Sequence, residues 1–138
     1  MIDTRLWTVA EKPDMQFARR THATMLYNNI VYVFAGWDGG AICTNEKYSL
    51  IKNSWERLPD LTNNSDATGC ALFKDKIYIS GNRSHDLYTF DPVTEFLMPV
   101  IKNFDAASHD ACIAVANESL YIFRYKVIFK MEKEDEAH

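Results

Sequence analysis

The stretch NIVYVFAGWDGG, Asn29 to Gly40, alternates β-branched and aromatic side chains and then runs into Gly36, Gly39 and Gly40, residues suited to turns. Period-two alternation of this kind marks a half-buried strand. One such run fits any hairpin; the fold is decided by its recurrence. The segments ATMLYNNIVYVFAG from Ala23, GCALFKDKIYISG from Gly69 and ACIAVANESLYIF from Ala111 each read as apolar strand, polar turn, apolar strand. Their turns are Asn28-Asn29, Lys74-Asp75 and Asn117-Glu118, and their tyrosines, Tyr32, Tyr78 and Tyr121, are spaced by 46 and then 43 residues. That is an internal repeat, and it has to be read before any single element.

The connecting segments repeat as well. NEKYSLIKNSWERLP, from Asn45, and LYTFDPVTEFLMP, from Leu87, each give a strand, a turn and a second strand, so that Tyr48 and Trp55 are expected to correspond to Phe90 and Phe96. Each unit therefore holds four short strands, a to d, within about 40 to 50 residues, the period of a β-propeller blade.

Bulk properties agree with a compact β protein. A chain of 138 residues, 47% hydrophobic and 13% aromatic, can bury a core without disulfides or metals. A net charge of −4, spread along the chain, favours neither disorder nor nucleic-acid binding. Cys43, Cys70 and Cys112 are odd in number and lack CxxC spacing, as suits free thiols in a reducing compartment. The opening MIDTRLWTVAEKPD has no apolar run of signal-peptide length, and no window is long and apolar enough to span a membrane. A cytoplasmic location, away from membranes, is the expectation.

With these strands in place, the first unit resembles a Kelch repeat. It carries Arg19-x-x-His22-Ala23, then IVYVFAG where the family has an apolar strand ending in two glycines, then Tyr48 followed seven residues later by Trp55. The resemblance implies an all-β, Kelch-type β-propeller segment. Its blade motif falls on Arg19, His22, Gly36, Tyr48 and Trp55, with Gly81, Phe90 and Phe96 in the second unit. Large side chains are needed between blades because each is a twisted sheet packed face to face on its neighbours. The glycine is expected to terminate strand b by allowing positive φ. Departures accumulate toward the C-terminus: the diglycine is Ala35-Gly36, then Gly81-Asn82, then Arg124-Tyr125, and the Arg and His positions become Ser65 and Thr68, then Ser108 and Ala111.

The units fall at about 14–62, 63–104 and 105–131, preceded by a strand at 4–10, all within a propeller segment 1–131 followed by an acidic tail at 132–138. The third unit has strands a and b and a strand c around YKVIFKME, with Phe129 in the place of Tyr48, but no strand d. The N-terminal RLWTVAEKP, whose Trp7 lies 48 residues before Trp55, resembles a strand d with nothing ahead of it. The order is d-abcd-abcd-abc, about three four-stranded blades shifted by one strand. Natural propellers have about 4 to 8 blades, so two arrangements stay open. Two copies could form a six-bladed ring by exchanging strand d, or another chain or further sequence could complete a longer propeller.

No constellation for chemistry stands out. His22, His85, His109 and His138 show no metal-ligand spacing, and there is neither a G-x-S-x-G serine nor a phosphate-cradling loop. No catalytic residue, metal or cofactor is expected. Function should lie in the loops. In alternating strands the b-c and d-a loops share one face, where Phe17, Arg20, Trp37, Asp38, Arg83 and His85, with Asn63, Asn64 and Asp105 nearby, would meet a protein partner. Among Kelch proteins the resemblance implies substrate recognition for cullin-type ubiquitin ligases or scaffolding on the cytoskeleton. A propeller enzyme acting on a sugar or alcohol, as in the copper oxidases, and an architectural subunit are the alternatives.

Overall fold

Residues 6–62, 66–82, 86–101, 111–124 and 127–132 are described by the computed structural model. The repeat becomes three antiparallel sheets. The first contains β1 (Ala23–Tyr27), β2 (Ile30–Trp37), β3 (Ala41–Ser49) and β4 (Ser54–Leu58), in that spatial order. The second contains β5 (Asp66–Phe73), β6 (Lys76–Asn82), β7 (Leu87–Phe90) and β8 (Leu97–Ile101). The third contains β9 (Ala111–Ala116), β10 (Ser119–Arg124) and β11 (Val127–Met131), again in chain order. β5 lies against both β1 and β9, so the a strands line the inner side and the d strands lie at the rim. Among the described residues no helix is long and apolar enough to cross a membrane.

Local chemistry sets the hairpins. Both turn residues have positive φ in each a-b hairpin: 49° and 61° at Asn28 and Asn29, 51° and 62° at Lys74 and Asp75, 49° and 62° at Asn117 and Glu118. These are type I′ turns, whose twist matches that of the flanking strands. The c-d turns also share a geometry. The Asn53 amide donates to the Ser49 carbonyl at 2.8 Å and the Glu95 amide to the Asp91 carbonyl at 2.7 Å, with φ of 55° at Asn53 and 59° at Glu95.

That shared turn corrects one expectation. Counting from Asn53 and Glu95, Phe96 is the counterpart of Ser54, and Leu97 is the counterpart of Trp55. The ladder agrees: Tyr48 faces Trp55 and Phe90 faces Leu97. Phe96 is 63% exposed, whereas Leu97 packs against the core. The two c-d turns are of equal length, so Leu97 lies seven residues after Phe90 as Trp55 lies seven after Tyr48, and the aromatic Phe96 stands one position too early. A similar shift affects β11. Tyr48 pairs with Val31, Phe90 with Ile77 and Met131 with Leu120, so Met131, not Phe129, stands in the place of Tyr48.

The blades pack through alternate residues of their strands. Tyr32 and Phe34 of β2 meet Ile77 and Ile79 of β6 and Tyr88 and Phe90 of β7, all within one buried cluster. The Phe90 ring centroid lies 5.3 Å from that of Tyr32 and 5.5 Å from that of Phe34, the latter edge-on. The second seam brings Ala71, Phe73 and Leu87 against Ile113, Leu120 and Ile122. Lys47 adds an ion pair from the first blade to Glu95 in the c-d turn of the second. The expected filler role thus falls to Phe90, whereas Tyr48 and Trp55, with centroids 5.1 Å apart, stack on the face of the first blade turned away from the second.

Two further expectations meet the structure differently. The Ala35-Gly36 pair does not end strand b; it forms a β-bulge between Phe34 and Gly36, and β2 continues to Trp37. Gly81 likewise lies inside β6. Residues 6–10 form no strand within this chain, and Trp7 is 98% exposed.

Gly36 sits at φ 115°, and a Cβ there would lie 2.6 Å from the Arg20 carbonyl oxygen and 3.1 Å from the His22 Cβ. Gly36→Ala is expected to lower the unfolding free energy by about 2 kcal/mol or more. Glu118→Gly, which relieves an unfavourable φ in a type I′ turn, is expected to raise it by about 1 kcal/mol. Urea denaturation of both variants beside the parent checks the opposite signs.

Candidate functional site

The b-c and d-a loops meet at one edge of the first blade. Before β1 the chain crosses this edge, and Arg20 and Trp37 exchange two backbone hydrogen bonds: Arg20 N donates to Trp37 O at 3.0 Å, and Trp37 N donates to Arg20 O at 2.8 Å. The bridge holds the two loops side by side. Gly36 permits it, because a side chain there would collide with the same Arg20 carbonyl.

Beneath the bridge lies a buried ion pair. Arg19 and Glu46 side chains are both 0% exposed and meet at 2.6 Å. Arg19 also donates to the Ala35 carbonyl at 2.8 Å and to the Thr44 carbonyl at 2.6 Å. Glu46 in turn accepts from the amides of Gln16, at 2.6 Å, and Phe17, at 3.2 Å. Two buried charges are tolerable only when their remaining hydrogen-bonding capacity is met, and here these four backbone groups meet most of it. Asn45, 1% exposed, completes the support: it accepts from the Ala35 amide at 3.1 Å and donates to the Pro59 carbonyl at 2.7 Å.

His22 packs beside Gly36. Its Nδ1 is buried without a hydrogen-bond partner. Burial first, and the Arg19 charge second, hold its pKa below the usual imidazole value.

Above this platform the sequence-expected partner residues divide. Arg20 and Asp38 are exposed and Trp37 is half-buried. They line a shallow cleft of about 290 Å³ together with Ala18, Arg19 and Gly39. The Asp38 amide donates to the Gly40 carbonyl at 2.9 Å, which shapes the loop tip. Phe17 stands apart, half-buried, with the Arg57 guanidinium 5.0 Å over its ring. Arg83 and His85, with Asn63, Asn64 and Asp105, lie outside the described residues. Among the described residues no group of three or more His, Cys, Asp or Glu side chains could hold a metal ion.

Glu46 and Asn45 were missed by the sequence reading. The available signal was a carboxylate and an amide side by side in the middle of a strand that had to be covered on both faces. The cysteines are free. Burial pushes the Cys70 thiol up to about 12, and its sulfur donates to the Thr24 carbonyl at 3.3 Å, whereas Cys112 is exposed.

Comparison with known proteins agrees with this geometry. Residues 18–62, the first blade with its Arg19 network, match the Kelch motif. The solved structure of YjhT is similar, with a TM-score of 0.59 and 17% identity over 80% of this chain and 35% of that one. The chain thus spans about a third of that relative's length, and a likeness at this identity speaks for the fold alone. No curated protein sequence matches. The chain has the fold of a β-propeller segment, its sheets not closed into a ring among the described residues, and its first blade matches a Kelch repeat.

Removing either ion of the buried pair strands the other. Glu46→Ala and Arg19→Ala are each expected to cost about 3 kcal/mol or more, and the double variant less than the sum, as read from urea denaturation. For His22 the folded state resists a proton that the unfolded chain accepts near the ordinary imidazole value of 6.5. Its contribution to stability is therefore intact above that pH and is lost as pH falls below it. The thermal midpoint should drop more steeply below pH 6.5 in the parent than in His22→Gln.

Proposed function

We propose that the chain acts as a non-catalytic protein-interaction module whose b-c and d-a loops recognise a protein partner. The observation that carries the reading is the double backbone bridge between Arg20 and Trp37. It places an exposed cation, a half-buried indole and, one residue on, the exposed Asp38 carboxylate on one rigid edge. Pre-organised Trp and Arg side chains are the types that carry binding energy at interfaces, because little conformational entropy remains to be lost on contact. The buried Arg19–Glu46 pair supports that edge from below, so the loops do not depend on the partner for their shape. An opposed charge pair flanking an aromatic suits a polar protein surface better than nucleic acid or lipid. Of the roles implied by the Kelch resemblance, substrate recognition for a ubiquitin ligase and cytoskeletal scaffolding in the cytoplasm both use such a face.

A photo-crosslinking residue in place of Asp38 identifies the partner in cells. Binding of that purified partner is then compared across variants. Arg20→Ala and Trp37→Ala are each expected to weaken it by about tenfold or more. Lys74→Ala, on the opposite loop face, leaves it unchanged. Equal binding by all three variants overturns the reading.

A further inference from the structure

The loop edge of the first blade carries backbone strain at the point where it is held together. Just ahead of β1, Arg20 and Trp37 form an isolated bridge closed by two hydrogen bonds. Around it Thr21, Ala35 and Gly36 hold φ of 53°, 52° and 115°. Glycine accepts such values, but Thr21 and Ala35 carry a Cβ, and the left-handed region is least favourable for a β-branched residue. Strain of this kind persists only while the surrounding contacts enforce it. Opening of the bridge relieves it.

His22 stands where the strained residues meet. It follows Thr21 in the chain, and a Cβ on Gly36 would come within 3.1 Å of the His22 Cβ. Its Nδ1 is buried with no hydrogen-bond partner. A neutral imidazole leaves one uncharged nitrogen unsatisfied there. An imidazolium carries N–H on both ring nitrogens, so the same atom becomes a charged, buried donor without an acceptor, at a much larger desolvation cost.

The surrounding groups offer the proton no compensation. On the d-a crossing the Arg19 side chain is fully buried, and its Nε is likewise without a partner. On β3, Glu46 is already bonded to Arg19 and to the Gln16 and Phe17 amides, while Lys47 pairs with Glu56 and Glu95. After β4, Asp60 is bonded to Arg57. β1 and β2 contribute Tyr27 and Tyr32 and no charge. From β5, Cys70 reaches the Thr24 carbonyl at 3.3 Å as a neutral thiol. Arg20 and Asp38 stand at the exposed cleft. Among the described side chains, then, a protonated His22 meets the Arg19 charge with no unengaged buried carboxylate to receive it, and burial and that charge together hold its pKa down.

We propose that His22 is a proton-operated latch on the loop edge: when it takes up a proton, the Arg20–Trp37 bridge opens and the d-a crossing parts from the b-c loop. In the open form the imidazolium is hydrated, and Thr21 and Ala35 leave the left-handed region. The closed form resists a proton that the open form accepts near the ordinary value of 6.5. The latch is therefore shut above that pH. Opening rises as pH falls below it, by at most about tenfold per pH unit, until the lowered pKa of the closed form is reached. Because Arg20 and Trp37 are the residues assigned to the protein partner, acidification weakens that contact. This consequence rests on the partner reading; the latch itself does not.

The test is amide hydrogen exchange by NMR on the 138-residue chain, at about pH 7.5 and about pH 5.5 and corrected for intrinsic rates. The Arg20 and Trp37 amides, the two donors of the bridge, are expected to be less protected than the amides of β6 at both values. At the lower pH they lose protection by between about threefold and the tenfold ceiling, and in His22→Gln they lose none. The His22 ring shifts of the parent titrate with a midpoint below 6.5, a reading that needs no variant to fold. Bridge amides as protected as those of β6, protection that does not change with pH in the parent, an equal loss in His22→Gln, or a ring midpoint at or above 6.5 overturns the latch. Affinity for the protein cross-linked at Asp38 is measured at the same two pH values. Unchanged affinity beside a working latch counts against Arg20 and Trp37 as the contact and leaves the latch standing.

Discussion

The first blade depends on one buried charge pair. Arg19 and Glu46 lie on different segments, the d-a crossing and strand β3, and burying either charge at 0% exposure without the other would carry a large desolvation cost. Together they fasten the crossing to the sheet, because Arg19 reaches the Ala35 and Thr44 carbonyls while Glu46 reaches back to two crossing amides. The Ala35-Gly36 bulge follows from the same arrangement. It turns the Ala35 carbonyl toward Arg19 and lets Trp37 pair with Arg20. Ala35 holds φ 52° in a fully buried position, a conformation an L residue adopts only when its surroundings enforce it.

Blade seams obey a simpler rule. A strand presents alternate residues to opposite faces, so a central sheet must be apolar on both, and β6 meets this with Ile77 and Ile79 on one side and Tyr78 on the other. The end blades inherit the same composition with a neighbour on one side only. Their outer faces keep Leu26, Phe123 and Ile128 in solvent.

Much of this was legible before any coordinates. Three hairpins with polar two-residue turns, the recurring tyrosines and the Arg19, His22 and Gly36 motif appear as strand pairs and a bridged loop edge where they were expected. Register was less legible. Phe96 reads as the partner of Phe90 because it is the next aromatic residue, but the two c-d turns are of equal length and put Leu97 opposite Phe90, and a shift of one exchanges the faces of a strand. Phe129 and Met131 were exchanged in place by the weaker pattern of the third unit. Glu46 was passed over because a carboxylate within NEKY reads as a solvated strand position until its partner, 27 residues earlier, is known to share the same interior.

By itself, the sequence determined strand content, strand order and the repeat, because period-two patterning and turn residues act over a few neighbouring positions. The Kelch motif was visible for the same reason. Only the tertiary structure decided which aromatic residues seal the blades, that the glycine makes a bulge and not an end, and that Arg20, Trp37 and Asp38 share an edge while Phe17 lies under Arg57. These depend on contacts between segments distant in the chain. Their energies come from burial and paired charge, which no local pattern of residues encodes.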